Sequence, residues 1–257
     1  MHLLLLLLSL VMVAPTSADM IPVGGGSYLP QYTLDGKEVE VKPFLIGKYP
    51  VTNAEYLEFV RERPEWRRSK AKSLFVETAY LSHWKGDLSF DSAQANSPVI
   101  NVSWFAARAY CQWRGMRLPT QDEWEFVARA SETQLDGTSE PGYQQRILSW
   151  YSRPSQDPLP PVGTVFRNVL GVNDIHGLVW EWVDDYNTVI AATGDSRNKG
   201  ELDRNLYCAA GVNSATSPSD YAAFMRYAFR SSLKGSYTLQ NLGFRCAADF
   251  PKGGPER

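Results

Sequence analysis

Eight tryptophans, thirteen tyrosines and eleven phenylalanines are spread along 257 residues, and no other feature constrains the fold of this chain as much. Rings of that size dominate whatever core they enter and need partners for their N–H and O–H groups. The chain therefore reads as a fold held by bulky side chains and loops. At 44% hydrophobic and 21% charged residues it can bury a substantial core, which excludes disorder and collagen-like repeats. Lys and Arg total 26 against 28 for Asp and Glu, a net charge of −2, so there is no positive excess to neutralise a phosphate backbone and no nucleic-acid partner is expected.

Residues 3–8 are all leucine, and the apolar run continues to Ala14 before Pro15-Thr16-Ser17-Ala18. A run this short, ending in small residues, reads as a secretory signal peptide over residues 1–18 rather than a spanning helix. Its departure from the pattern is an n-region without Lys or Arg. No cysteine follows the apolar run, so no lipid-anchored form is expected, and no later stretch is long and apolar enough to cross a membrane. Residues 19–250 then form one domain, and residues 251–257, with Pro251, Gly253, Gly254 and Pro255, form a frayed tail. The expected location is secreted or periplasmic.

Three helices are legible. Thr52-Asn53-Ala54-Glu55 is a capping box followed by Tyr56, Phe59 and Val60 at helical spacing. Ser103 caps a second helix whose Trp104, Ala107 and Cys111 share a face. Thr120-Gln121-Asp122-Glu123 is a second capping box, with Trp124, Val127 and Ala128 on the buried side. From about Ser131 onward Gly and Pro punctuate short segments, and the expectation there is short strands and long loops.

Cys111, Cys208 and Cys246 are too few for a disulfide scaffold or a four-thiolate zinc site, and an odd count leaves one thiol over. The three histidines cannot make a three-histidine metal site, because His2 lies in the leader. His83 and His176 remain, and His176, in the turn before Trp180, reads as a packing or turn residue. Asn101-Val102-Ser103 fits a glycosylation sequon but reads first as a turn. Trp180 and Trp182 flank Glu181, so on a strand both indoles take one face and the carboxylate the other.

Four segments carry more together than singly. They are Val23-Gly24-Gly25-Gly26 leading to Phe44-Leu45-Ile46-Gly47-Lys48-Tyr49-Pro50-Val51-Thr52; Pro98-Val99-Ile100-Asn101-Val102-Ser103-Trp104 running on to Arg117-Leu118-Pro119-Thr120-Gln121-Asp122-Glu123-Trp124-Glu125; Gly177-Leu178-Val179-Trp180-Glu181-Trp182; and Asn241-Leu242-Gly243-Phe244-Arg245-Cys246. In this order the chain resembles the formylglycine-generating enzyme, or sulfatase-modifying factor, family over nearly all of its expected mature length. The resemblance implies an α+β, C-type-lectin-like fold with little regular secondary structure.

It also implies site residues. Asp174, Gly177, Val179 and Glu181 match a calcium site, the two carboxylates and two backbone carbonyls supplying hard oxygens. A second calcium loop between Trp150 and Val165 is not expected, since Pro154-Ser155-Gln156-Asp157-Pro158 is unlike it. Cys111 and Cys246 match a disulfide pair, and Ala128 and Tyr227 stand where a second bridge would need cysteines. The family's oxidase binds copper(I) through two thiolates, which soft-ligand preference requires. Counting back from Cys246 puts Ser217 and Ala222 there, so copper is not expected, and Cys208 remains a free thiol.

Three functions follow from that pattern. The first is a catalytically divergent, exported accessory or binding protein with a protein or peptide partner, for example a periplasmic metalloenzyme such as copper nitrite reductase. The second is an enzyme of other chemistry in a remodelled cleft of Ser214, Ser217, Asp220, Tyr221, Arg226, Tyr227 and Arg230. The formylglycine-generating oxidase itself comes last, because its thiolates are missing.

Overall fold

The computed structural model describes residues 20–30, 37–154, 156–186 and 220–250. The leader, the tail, Cys208, Ser214 and Ser217 lie outside the described residues.

Strand β1 (Met20–Val23) and the last strand, β7 (Ala247–Asp249), both pair antiparallel with β4 (Phe44–Gly47), so both ends of the domain lie in one three-stranded sheet. Its buried face, with Val23, Phe44, Ile46 and Ala247, packs on Trp124, Val127, Phe166 and Ile175. Strands β2 (Gly26–Tyr28) and β3 (Val39–Val41) form a separate antiparallel pair, and β5 (Trp180–Trp182) runs parallel to β6 (Leu242–Phe244). Little of the chain lies in strands, and side chains carry the cohesion.

Helix α1 (Asn53–Glu62) begins where the capping box predicts: the Glu55 amide donates to Thr52 Oγ1 at 3.3 Å, and the Thr52 amide donates back to Glu55 Oε2 at 2.8 Å. Helix α2 (Trp104–Trp113) is capped by Ser103, and α3 (Gln121–Ala128) by the second box, Thr120 with Glu123. Helices α1 and α2 bring an aromatic core together. Tyr56 stacks on Tyr110 at 5.6 Å and meets Trp84 and Phe244 edge-on, each at 6.2 Å. Its hydroxyl lies 2.9 Å from that of Tyr80, which donates to the Trp66 carbonyl at 2.8 Å, so neither phenol is buried without a partner. The disulfide between Cys111 and Cys246 joins α2 to the segment after β6 across 135 residues.

The expectation of only strands and loops after Ser131 is corrected by two further helices. Helix α4 (Tyr143–Tyr151) starts from Gly142, at φ 81°, with no side-chain cap, so the sequence carries no start signal. It is fixed by Tyr143, whose hydroxyl donates to the carbonyls of Ala128 and Ala130 at 2.9 and 3.0 Å. Helix α5 (Tyr221–Ser231) is capped by Asp220, whose side chain accepts from the Ala223 amide at 2.9 Å. Its buried stripe of Ala222, Ala223, Arg226, Tyr227, Arg230 and Ser231 has helical spacing. Two arginines within that stripe hide the pattern from a reading based on apolar residues.

Candidate functional site

The parallel pair β5–β6 is the scaffold of the site, and each residue of its two motifs has a separate task. Gly243 lies opposite Glu181, and a Cβ there would sit 2.8 Å from the Val99 carbonyl oxygen, so only glycine permits this approach. Trp182 and Phe244 enter the aromatic core, and Trp182 Nε1 donates to the Val102 carbonyl at 2.9 Å. Arg245, fully buried, forms a bidentate pair with Glu181, Nε to Oε2 and Nη2 to Oε1, both 2.7 Å. Its remaining N–H groups donate to carbonyls of Gly47 at 3.0 Å and Asn173 at 2.9 Å. That satisfaction is what allows a guanidinium to be held away from water.

A second buried ion cluster lies beside the first. Glu125 on α3 accepts from Arg226 Nη2 at 2.7 Å and from Arg230 Nη1 at 2.6 Å, and the exposures of the three side chains are 4%, 5% and 4%. Burial would raise the Glu125 carboxyl, but the two guanidiniums outweigh it and hold the group below the usual carboxylate range. Trp124 links the clusters: its Nε1 donates to Glu181 Oε2 at 2.8 Å, while the Arg230 guanidinium lies over its ring at 4.3 Å. Three arginines and two glutamates thus share one aromatic shell, leaving a net single positive charge.

Next to these clusters is a cavity of about 430 Å³, lined by Trp124, Trp150, Tyr151, His176, Trp180 and Arg230 among others, with Arg153 and Gln156 exposed at its rim. Trp180 is sandwiched between Tyr151 at 4.6 Å and Phe229 at 4.4 Å. His176 is 1% exposed and its Nε2 lies 2.9 Å from the Ala128 carbonyl oxygen. That oxygen only accepts, so Nε2 carries the hydrogen and Nδ1 is a bare acceptor. Nδ1 is buried and has no hydrogen-bond partner. Burial, with Arg226 nearby, pushes the imidazole down to about 3, so it is neutral at physiological pH.

The residues matched to calcium have other partners. The Asp174 carboxylate accepts from the amides of Gly163, Val165 and Phe166, as a turn cap at positive φ. Glu181 is held by Arg245 and Trp124. Gly177, at φ +91°, packs so tightly that a Cβ would meet Val165 at 2.9 Å and the Trp150 ring at 3.1 Å. Val179 lines the cavity. Both carboxylates thus have protein partners, Glu181 a guanidinium and Asp174 three backbone amides.

Among the described residues, the expected cleft residues have separate partners. Arg226 and Arg230 are spent on Glu125, and Arg230 is the one of the described set that lines the cavity. Tyr227 is buried, Tyr221 is exposed and stacked on Phe224, and Asp220 caps α5. Ala222, at a place where copper would need a thiolate, is buried against Tyr143 and Ile147. Ala128 and Tyr227, at the places of a second bridge, are both buried. Asn101 of the sequon is buried at positive φ and donates to the Thr238 carbonyl at 3.1 Å, a turn residue rather than a glycan acceptor. Sequence reasoning missed Glu125 and Arg245 as site residues. The available signal was the helical spacing of Glu125 from Gln121 and Ala128, which puts it on the same side of α3 as that buried pair.

The profile of the Sulfatase-modifying factor enzyme 1-like domain matches residues 10–250. The protein named "Inactive C-alpha-formylglycine-generating enzyme 2" from Bos taurus is 32% identical over 250 residues, covering 82% of this chain and 79% of its own length. The formylglycine-generating enzyme of Mus musculus is 29% identical over 297 residues, covering 94% of this chain and 76% of its own. Treponema denticola variable protein 1 superposes with a TM-score of 0.51 at 17% identity, over 90% of this chain and 94% of that one, a likeness of fold alone.

Proposed function

This chain belongs to the sulfatase-modifying factor family, and we propose that within it the protein is an exported accessory or maturation partner that binds through its aromatic cavity and does not oxidise cysteine. One observation supports the reading: Ala222, which the family resemblance matches to a copper thiolate position, is buried in apolar packing with Tyr143 and Ile147. The chain has three cysteines, and two are joined in the Cys111–Cys246 bridge. The single thiol left cannot make a two-sulfur copper(I) site. A relative named as inactive, 32% identical over 82% of this chain, supports the same view.

Export rests on the leader-like residues 1–18 and on a disulfide that persists in oxidising compartments. Among the described residues no helix is long and apolar enough to cross a membrane. The partner we propose is a metalloenzyme of the same compartment, copper nitrite reductase being one example of the class. Copper(I) titration of the reduced protein and mass spectrometry of a cysteine-containing sulfatase peptide test the chemistry. No tight two-sulfur absorbance and no change of peptide mass are expected. Conversion of the cysteine to an aldehyde would overturn the reading. Affinity capture from the periplasm or secretory compartment with the mature protein tests the partner class.

A further inference from the structure

Between Trp66 and Val76 the chain places four cations, Arg67, Arg68, Lys70 and Lys72, and no acid, although its net charge is −2. Leu74 lies in the same run and, at 76%, is the most exposed large hydrophobic residue among those described. Lys70 and Lys72 are exposed beside it. A single exposed leucine is ordinary on a protein surface, and so is a group of lysines; their coincidence on one loop is what calls for a partner. Leu135, 69% exposed, gives the contrast, since residues 130–140 around it hold three acids and no cation.

The loop is held in shape from beneath. The amides of Lys70 and Ala71 donate to the Arg67 carbonyl, and those of Phe75 and Val76 to the Lys72 carbonyl, so it consists of two successive turns. Val76 is buried, and Phe75 packs on Phe105 at 5.3 Å and on Trp66 at 6.1 Å. Arg67 Nε donates to the Val60 carbonyl at 3.0 Å and Arg68 Nη1 to the Trp84 carbonyl at 2.7 Å. Those acceptors are neutral and leave both guanidinium charges in place. Exposed Lys85 follows Trp84 and adds a fifth cation, while the adjoining carboxylate, Asp87, accepts from the Ser69 amide and hydroxyl at 2.8 and 2.6 Å. Glu65 and Glu77 bound the run, and Glu65 lies 3.8 Å from Arg63. A loop already ordered loses little freedom on meeting a surface.

We propose that this loop is a peripheral membrane contact, with Lys70, Lys72 and Lys85 on the headgroups of an anionic lipid surface and Leu74 in the acyl boundary beneath them. An acidic protein surface answers the cations but offers no apolar contact to a leucine set among them, whereas a bilayer presents its anionic and apolar layers within about 5–10 Å of each other. The contact stands independently of the accessory role. The test is cosedimentation of the mature protein, without its leader, with phosphatidylcholine vesicles containing about 30% phosphatidylglycerol and with vesicles of phosphatidylcholine alone. The anionic vesicles should bind the protein at about 0.1 M salt and release it at about 0.5 M, and the neutral vesicles should not bind it. Lys70→Gln with Lys72→Gln should weaken binding about 25-fold, about fivefold for each cation removed. Leu74→Ser should weaken it about tenfold, and Leu135→Ser should leave it unchanged. All four positions are exposed, so these variants keep the fold. No binding to anionic vesicles, equal binding to neutral ones, or binding unmoved by Leu74→Ser would overturn the proposal, the last of these assigning the lysines to an acidic protein instead.

Discussion

Replacing Glu125 by Gln keeps the size of the side chain and removes one charge from a site where Arg226 and Arg230 are 5% and 4% exposed at the side chain. Both guanidiniums then lose their ionic partner while water stays excluded. Breaking a buried pair by removing one partner costs about 3–5 kcal/mol, against a total stability of about 5–15 kcal/mol. With a urea m-value of about 2–3 kcal/mol/M, the midpoint should fall by about 1–2 M. The assay is equilibrium urea unfolding followed by tryptophan fluorescence, Trp124 being in contact with the cluster. A second variant separates electrostatics from packing. Replacing Glu125, Arg226 and Arg230 together by Leu, Met and Leu removes every charge, and such replacements are often neutral or stabilising. A Glu125→Gln midpoint within about 0.3 M of wild type, an unfolding change below about 1 kcal/mol, would refute the claim that the two arginines depend on this carboxylate.

Four further outcomes are expected. Thiol counting on denatured, unreduced protein should find one free thiol of the three cysteines, and Cys111→Ser with Cys246→Ser should cost about 5 kcal/mol on the chain-entropy estimate for so long a loop. His176, held at about 3 in the fold against about 6.5 unfolded, leaves the unfolded state binding more protons as pH falls below 6.5. Stability should therefore drop by about 2 kcal/mol between pH 7 and pH 5 from this group alone, a slope that His176→Phe removes in urea titrations at both pH values. Millimolar calcium or chelator should leave the melting temperature unmoved, because Arg245 already holds Glu181; a calcium-dependent rise would show that the pair opens to admit the ion. Gly243→Ala should lower the melting temperature sharply, since its Cβ would fall 2.8 Å from the Val99 carbonyl oxygen.

Much of the first half was legible because its signals are local. The two capping boxes at Thr52 and Thr120 set the starts of α1 and α3 within a few residues of sequence. The later helices were not legible: α4 begins without a side-chain cap, and the buried stripe of α5 contains Arg226 and Arg230, which a periodicity count scores as surface. Trp180-Glu181-Trp182 is a strand, as its alternation predicts, but the partner of Glu181 lies 64 residues away at Arg245. That distance hides the Glu181–Arg245 pair from a reading along the chain.

By itself the sequence determined the family, the capped helices, the pairing of Cys111 with Cys246 through that resemblance, and the absence of a thiol at position 222. Those rest on residue identity, on the order of motifs along the chain, or on interactions within one turn of it. Only the tertiary structure decided that Glu125 and Glu181 belong to arginines, that Tyr227 is buried, and that His176 is enclosed with its Nε2 on the Ala128 carbonyl. A charge or a ring declares its role only when the groups that desolvate it are in place, and here those groups come from segments 48 to 105 residues apart.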